Sequence, residues 1–507
     1  MSLLAVDMGS SSCKAVAFAE DGRALAQETQ SYSATSRFPS WSEMAPETFW
    51  QALRTVTRAI TAEVAHDPVE VLALSSHAET FFCVDAQQRA IGPAILNADN
   101  RAVREANQFA AEIGRTRVFE ITGLTAHAMY PLPKILWLRQ HQPDVFSRAD
   151  RFLTLPGYLL TRLGLPAYVD FSLASRFLAF DIRKRTWSSE ILSACKLRAE
   201  QFPTTVPAGT ITGQLPANVA GDLGLRPGIP VVLGGHDQPC AALGSGVLGP
   251  GRVSASLGTY ECLLAASNAP ALTKDALAAN LNSYCHVVPD RYVTLAYFPA
   301  GIMIDWFLNL LYPAGEPANP VSHSDVCAAL EAQASPEPTG LCITPHLLGT
   351  CNPDFDPHAT GVIAGIRPGT RRADLYKGIL EGIACEFASM AELLQHATGV
   401  YRDVYVSGGG GRSRLGLQLR AAMANRSLRT MQCNEAVCLG TAILAGVAIG
   451  KYKNYAEAVE QVVRVSETIA PDPAIAASYA AQAMQYRKLY SSLAPLRQAM
   501  RAMEENK

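Results

Sequence analysis

Residues 3–6 are apolar, residues 7–12 read Asp-Met-Gly-Ser-Ser-Ser, and residues 14–18 run Lys-Ala-Val-Ala-Phe. That pattern predicts two short strands joined by a tight turn of small residues. Asp21-Gly22 marks a further hairpin turn. After Pro46-Glu47 the apolar positions Phe49, Leu53, Val56 and Ile60 recur at helical spacing. Residues 69–75 and 80–84 are strand candidates separated by a polar Ser-His-Ala-Glu stretch, and residues 101–141 are mostly helical. Strand and helix patterns alternate along the chain, which predicts an α/β protein.

The composition shifts at residues 244–252, Gly-Ser-Gly-Val-Leu-Gly-Pro-Gly-Arg. Beyond it, residues 253–259 again predict a strand ending in a small turn, Gly258-Thr259, followed by the apolar Cys262-Leu-Leu-Ala. This echoes the region of Asp7, so two halves built on a similar plan are expected. Residues 454–507 are Ala-rich and read as helical, broken at Pro471 and Pro473. The expected division is 1–246 for an N-terminal half, 247–455 for a C-terminal half and 456–507 for a helical extension.

A length of 507 residues supports more than one core, and 49% apolar residues exclude a largely disordered chain. A formal charge of −2 argues against a dedicated nucleic-acid binder, which needs a Lys/Arg excess to neutralise phosphates. The 12 cysteines are scattered, with no C-x-x-C pair, and read as small buried hydrophobes in a reducing compartment. The first residues lack the basic start and long apolar run of a signal peptide, and residues 439–450 are too short to span a membrane. A soluble, cytoplasmic protein is expected.

Three stretches could carry chemistry. In the first, Asp7-x-Gly9-Ser10-Ser11-Ser12, a turn of small residues can aim backbone N–H groups and hydroxyls at a phosphate, while the carboxylate faces Mg²⁺. On this motif alone an ordinary Gly/Ser hairpin is the favoured reading, and no P-loop occurs anywhere in the chain. In the second, residues 231–238 read Val-Val-Leu-Gly-Gly-His-Asp-Gln: a buried strand is expected to stop at Gly-Gly. Asp237 is then either a helix N-cap or a carboxylate at a strand end, able to take a proton from a hydroxyl. His236 reads as a packing or hydrogen-bonding residue. In the third, a strand over residues 404–407 runs into four glycines, 408–411, which leave room for a nucleotide or for tight helix packing. It lacks the Rossmann spacing.

The order of these motifs, closed by Leu439-Gly-Thr-Ala-Ile-Leu-Ala-Gly446, resembles the FGGY carbohydrate kinases of the actin/hexokinase-like ATPase superfamily. Met129-x-Pro131-x-x-Lys134-Ile-x-Trp137 is similar to the first family signature. Residues 361–366, with 374–381 after them, are similar to the second, with Gly378 in place of the usual Ala or Ser. The resemblance implies two ribonuclease-H-like domains around a central cleft holding ATP·Mg²⁺ and a sugar. It implies Asp237 as catalytic base, Gln238 beside the sugar, and Asp7 with Asp237 near the metal. It also implies a nucleotide held by Gly9, Ser10, Ser11, Ser12, Lys14, Gly258, Thr259, Gly301, Asp305, Gly409 and Gly410.

Trp41-Ser-Glu43 and Pro46-Glu47-x-x-Trp50 are similar to the family segment beside the sugar. Where xylulose kinases have Gln-Met-His, this chain has His77-Ala78-Glu79; where they have Trp-x-Asp-x-Arg, it has Asn97-x-Asp99-x-Arg101. His77, Ala78, Glu79, Asp99 and Arg101 are therefore the implied sugar contacts, with an acceptor gained at Glu79 and an apolar wall lost at Asn97. The implied reaction is ATP-dependent phosphorylation of a terminal hydroxyl, with a pentulose such as xylulose as acceptor. The alternatives are another ketose, a sugar alcohol or a small signalling polyol, or a non-enzymatic nucleotide switch or sugar sensor on the same fold. Expected partners are ATP and the sugar or polyol, with no nucleic acid and no membrane; a homodimer stays open.

Overall fold

A computed structural model describes residues 1–311 and 322–505. The predicted strand–turn–strand at the start forms: Ser2–Met8 pairs antiparallel with Ser12–Phe18, which pairs antiparallel with Ala24–Ser31 across the Asp21-Gly22 turn. Ser2–Met8 also pairs parallel with Val69–Ser76, which pairs parallel with Pro230–His236. Ile211–Gln214 completes this six-stranded sheet as an antiparallel edge.

The second sheet repeats the plan. Arg252–Leu257 pairs antiparallel with Tyr260–Ser267 and parallel with Asp403–Ser407, which pairs parallel with Ser427–Met431. Tyr292–Pro299 holds the place that Ala24–Ser31 holds in the first sheet, with Asn282–Cys285 added outside it. The two halves suggested by the sequence thus share one strand order around a cleft. This is the ribonuclease-H-like architecture.

The first sheet is buried on both faces, as strands covered by helices on each side are. Leu4, Val6, Leu72, Leu74 and Val231 belong to one apolar cluster with the Pro46–Glu63 helix. Leu3, Ala5, Val71, Ala73 and Val232 belong to another, whose remaining members include Leu439, Ala442 and Ile443 of the Ala436–Ala448 helix. That helix comes from the C-terminal half, yet it packs on the N-terminal sheet. Reciprocally, Ala242 of the Asp237–Gly244 helix packs with Leu264, Ala266 and Val293 of the second sheet. The two helices cross where Gly244 and Gly440 let their backbones meet: a Cβ on either would lie about 2 Å from a carbonyl oxygen of the other helix.

Two sequence expectations need correction. The strand ending before Asp237 does not stop at Gly-Gly but runs on through His236, with a register shift between Leu233 and His236. The segment after residue 456 is not wholly helical: Val465–Ile469 pairs with Ser427–Met431 as the antiparallel edge of the second sheet. Its apolar positions are too few and too exposed to stand out from the helical pattern on either side. The strand expected over residues 80–84 forms as Phe81–Val84 and joins a small sheet with Arg151–Thr154 and Ala94–Ile95. Glu79 takes a left-handed conformation, φ 64°, and turns the chain away between the two strands. Among the described residues, no helix is long and apolar enough to cross a membrane.

Candidate active site

Asp7 lies near the C-terminal end of its strand and pairs in register with Ser75 of the parallel neighbour. Asp237 follows directly on His236, at the C-terminal end of the next parallel strand along. Two parallel strands on either side of Val69–Ser76 thus end on the same edge and bring together two carboxylates 230 positions apart. Asp237 is the first residue of its helix, not the N-cap, which is His236. Its carboxylate accepts from the N–H of Gln238 at 2.6 Å and lies 3.0 Å from Nε2 of His236.

The two acids are driven apart electrostatically. Burial and the charge of Asp237 hold the Asp7 carboxyl well above the usual carboxylate range, against Lys14 and Ser75. Burial also acts on Asp237, but His236 and the Gln238 N–H outweigh it and hold this acid below its ordinary value. Asp237 is therefore the ionised member of the pair. The donor set suits a hard cation: two carboxylates at the ends of strands that flank Val69–Ser76, whose mutual repulsion a divalent ion would relieve. No cluster of three or more metal-ligating side chains occurs among the described residues.

The Gly9 to Ser12 turn is closed by the Gly9 N–H donating to the Ser12 carbonyl at 2.8 Å, with the Tyr32 hydroxyl on the Gly9 carbonyl. Ser10 and Ser11 remain exposed at its tip. Lys14 stands on the following strand, its ammonium 2.6 Å from Glu435, the residue preceding the Ala436–Ala448 helix. One contact thus bridges the two halves of the chain.

Across the cleft a cavity of about 390 Å³ is lined by Gly258, Thr259, Gly301, Asp305, Gly409 and Gly410. The structure thus gathers six expected nucleotide residues from three separate segments. Glycine is required at Gly301, where a Cβ would lie 2.5 Å from the Gly258 carbonyl, and at Gly408, whose φ is 89°. Sequence reasoning missed Glu261 and Arg420, a buried ion pair in the same lining, with Arg420 Nε 3.1 Å from Glu261 Oε2. They are 159 residues apart, so no local signal could have joined them. A larger cavity, about 490 Å³, opens between the Arg372–Thr398 and Pro473–Ser492 helices and holds none of the expected residues.

The implied sugar contacts divide. His77 is buried, with Nδ1 2.7 Å from the Met8 carbonyl and Nε2 2.6 Å from the Thr80 hydroxyl. Burial lowers its pKa, so it is a neutral imidazole with both nitrogens in use. Ala78 is buried beside it. Asp99 and Arg101 form a buried ion pair at 2.6 Å, with Glu43 on the same guanidinium and the Trp41 ring 3.7 Å beneath it. Glu79 is paired with Arg176 at 2.6 Å. Glu79 and Arg176 lie next to His236 and Asp237 through the ring of Tyr284.

Two family models match the chain. Residues 2–244 match the N-terminal domain, and residues 253–449 the C-terminal domain, of the FGGY family of carbohydrate kinases. The chain is 30% identical to a xylulose kinase of Escherichia coli over 496 residues, 97% of this chain and 99% of that one. A crystal structure of a protein described as a xyloylose kinase, from Brucella ovis, superposes with a TM-score of 0.88 at 25% identity, covering 98% of this chain and 100% of that one. A gluconate kinase from Lactobacillus acidophilus has the same fold, with a TM-score of 0.88 at 21% identity over 97% of this chain and 98% of that one.

Proposed function

The chain belongs to the FGGY family of carbohydrate kinases, and from that premise we propose that it phosphorylates the terminal hydroxyl of a pentulose, xylulose being the first choice. The observation that carries the reading is the pair of carboxylates, Asp7 and Asp237, whose surroundings push their proton affinities in opposite directions. A base that is already ionised, beside an acid that resists ionisation, is an arrangement for proton transfer near a metal.

In this mechanism Asp237 takes the proton of the attacking hydroxyl, and Gln238 orients the sugar beside it. The Gly9 to Ser12 turn and Lys14 on one side, and Gly258 and Thr259 on the other, hold the phosphates. Gly301, Asp305, Gly409 and Gly410 face the adenosine part. Asp7, with Asp237, would hold Mg²⁺, which supplies charge neutralisation of the phosphates when bound. Phosphoryl transfer needs alignment and charge stabilisation more than covalent chemistry. Closure of the two halves would exclude water, the competing nucleophile. Twelve unpaired cysteines support a cytoplasmic setting.

The test is ADP release with ATP and Mg²⁺ across pentuloses, hexuloses, polyols and aldonates. Xylulose is expected to give the highest kcat/KM. Asp237→Asn is expected to lower kcat by about 10²- to 10⁴-fold with the KM for sugar little changed. Undiminished turnover in that variant would remove Asp237 from the mechanism.

A further inference from the structure

Beside Asp237, three buried polar atoms have no hydrogen-bond partner in the protein: His236 Nδ1, the Tyr284 hydroxyl and Arg176 Nη1. A buried polar atom left unpaired is costly, so three together call for a reason. They are contiguous. His236 Nε2 is 3.0 Å from Asp237, and the His236 and Tyr284 rings lie 5.5 Å apart. The Arg176 guanidinium sits 4.9 Å from the Tyr284 ring centre and pairs through Nε with Glu79 at 2.6 Å. An unbroken run of contacts therefore joins Asp237 to Glu79. It draws on a sheet strand, the Asn282–Cys285 edge strand, the end of the Phe171–Ser175 helix and the left-handed turn at Glu79.

We propose that His236, Tyr284 and Arg176 form the wall of the acceptor site that reads the hydroxyl groups of the substrate and so sets its specificity. This rests on the kinase reading above. The chemistry of the three atoms names the ligand class. With the Nε2 proton directed at Asp237, Nδ1 of His236 is a bare acceptor; Arg176 Nη1 can only donate, and the Tyr284 hydroxyl can do either. Two adjacent oxygens of an open-chain ketose or polyol match that set. One hydroxyl donates to His236 while accepting from Tyr284, and its neighbour, a hydroxyl or carbonyl oxygen, accepts from Arg176. An aldonate matches poorly, because Glu79 already occupies Arg176 and Asp237 adds a second negative charge to the same wall. A site built to hydrogen-bond hydroxyls discriminates strongly against an analogue lacking one.

Tyr284→Phe tests the wall, because it removes a hydroxyl that bonds to nothing in the free protein. The expected result is a drop in kcat/KM of about 10- to 100-fold for the best ketose, carried by KM, with the KM for ATP unchanged. The Tm of the ligand-free variant should equal or exceed that of the wild type. Deoxy-ketoses lacking the hydroxyl read by Tyr284 should be turned over alike by both proteins. Arg176→Lys keeps a cation on Glu79 but loses the free arm, and should raise the KM of the same ketose with Tm retained. Unchanged kcat/KM in both variants, or a lowered Tm with every acceptor affected equally, would overturn the assignment of the wall while leaving the kinase intact. No sugar-dependent ADP release from the wild type would instead remove the kinase reading, and this inference with it.

Discussion

Buried ionisable side chains in this protein owe their protonation to partners that fix which atom carries the proton. His286 shows this outside the cleft. Its Nε2 must donate to the Val247 carbonyl at 2.9 Å, and its Nδ1 accepts from the Val287 N–H at 2.8 Å, so only the neutral ring fits. Burial pulls its pKa from 6.5 down to about 4. Between those values the unfolded chain binds a proton that the folded chain refuses, so stability falls as pH falls. The contribution is fully present above pH 6.5 and drains away towards pH 4, up to roughly 3 kcal/mol. Urea titrations between pH 7 and 4.5 should show this loss, and His286→Gln should flatten part of it. An equal slope in the variant would assign the loss to other groups.

Among the elements, the crossing of the Asp237–Gly244 and Ala436–Ala448 helices has the least room for change. Adding a methyl at Gly440 would place it 1.9 Å from the Cys240 carbonyl, so backbone must move, not a side chain. Gly440→Ala is expected to cost about 1–3 kcal/mol or more, and to lower kcat because Asp237 begins one of the two helices. Gly221 is the contrasting case, inside the Ala217–Leu223 helix with no atom within 4 Å of the added methyl. Gly221→Ala should raise stability by about 0.5–1 kcal/mol and leave turnover unchanged. Thermal unfolding of the two variants side by side checks both. A Gly440→Ala protein as stable and active as the wild type would show that the crossing is not tightly constrained.

Over the whole molecule, the two sheets share a strand order, and each half sends a helix across to the other. Asp7 and Asp237 lie on one side of the cleft, the 390 Å³ cavity on the other. On the proposed mechanism phosphoryl transfer requires these to approach, and a phosphate held by Lys14 would compete with Glu435 for its ammonium. Small-angle scattering should therefore give a smaller radius of gyration with ADP and sugar together than with either alone. An unchanged radius would mean the cleft is already at its working width.

By itself the sequence determined the local devices and their order. Strand–turn–strand, the Pro46 helix and the glycine runs at 234–235 and 408–411 are each encoded within about a dozen residues, where propensity and spacing decide. Their succession pointed to the family. Only the tertiary structure decided what depends on distant segments meeting. It paired Arg176 with Glu79, Arg420 with Glu261 and Lys14 with Glu435, put Val465–Ile469 at a sheet edge and occupied both nitrogens of His77. It also displaced the proton affinities of Asp7 and Asp237 in opposite directions. The physical reason is the same throughout: burial and charge pairing are properties of a packed neighbourhood, and no window along the chain contains that neighbourhood.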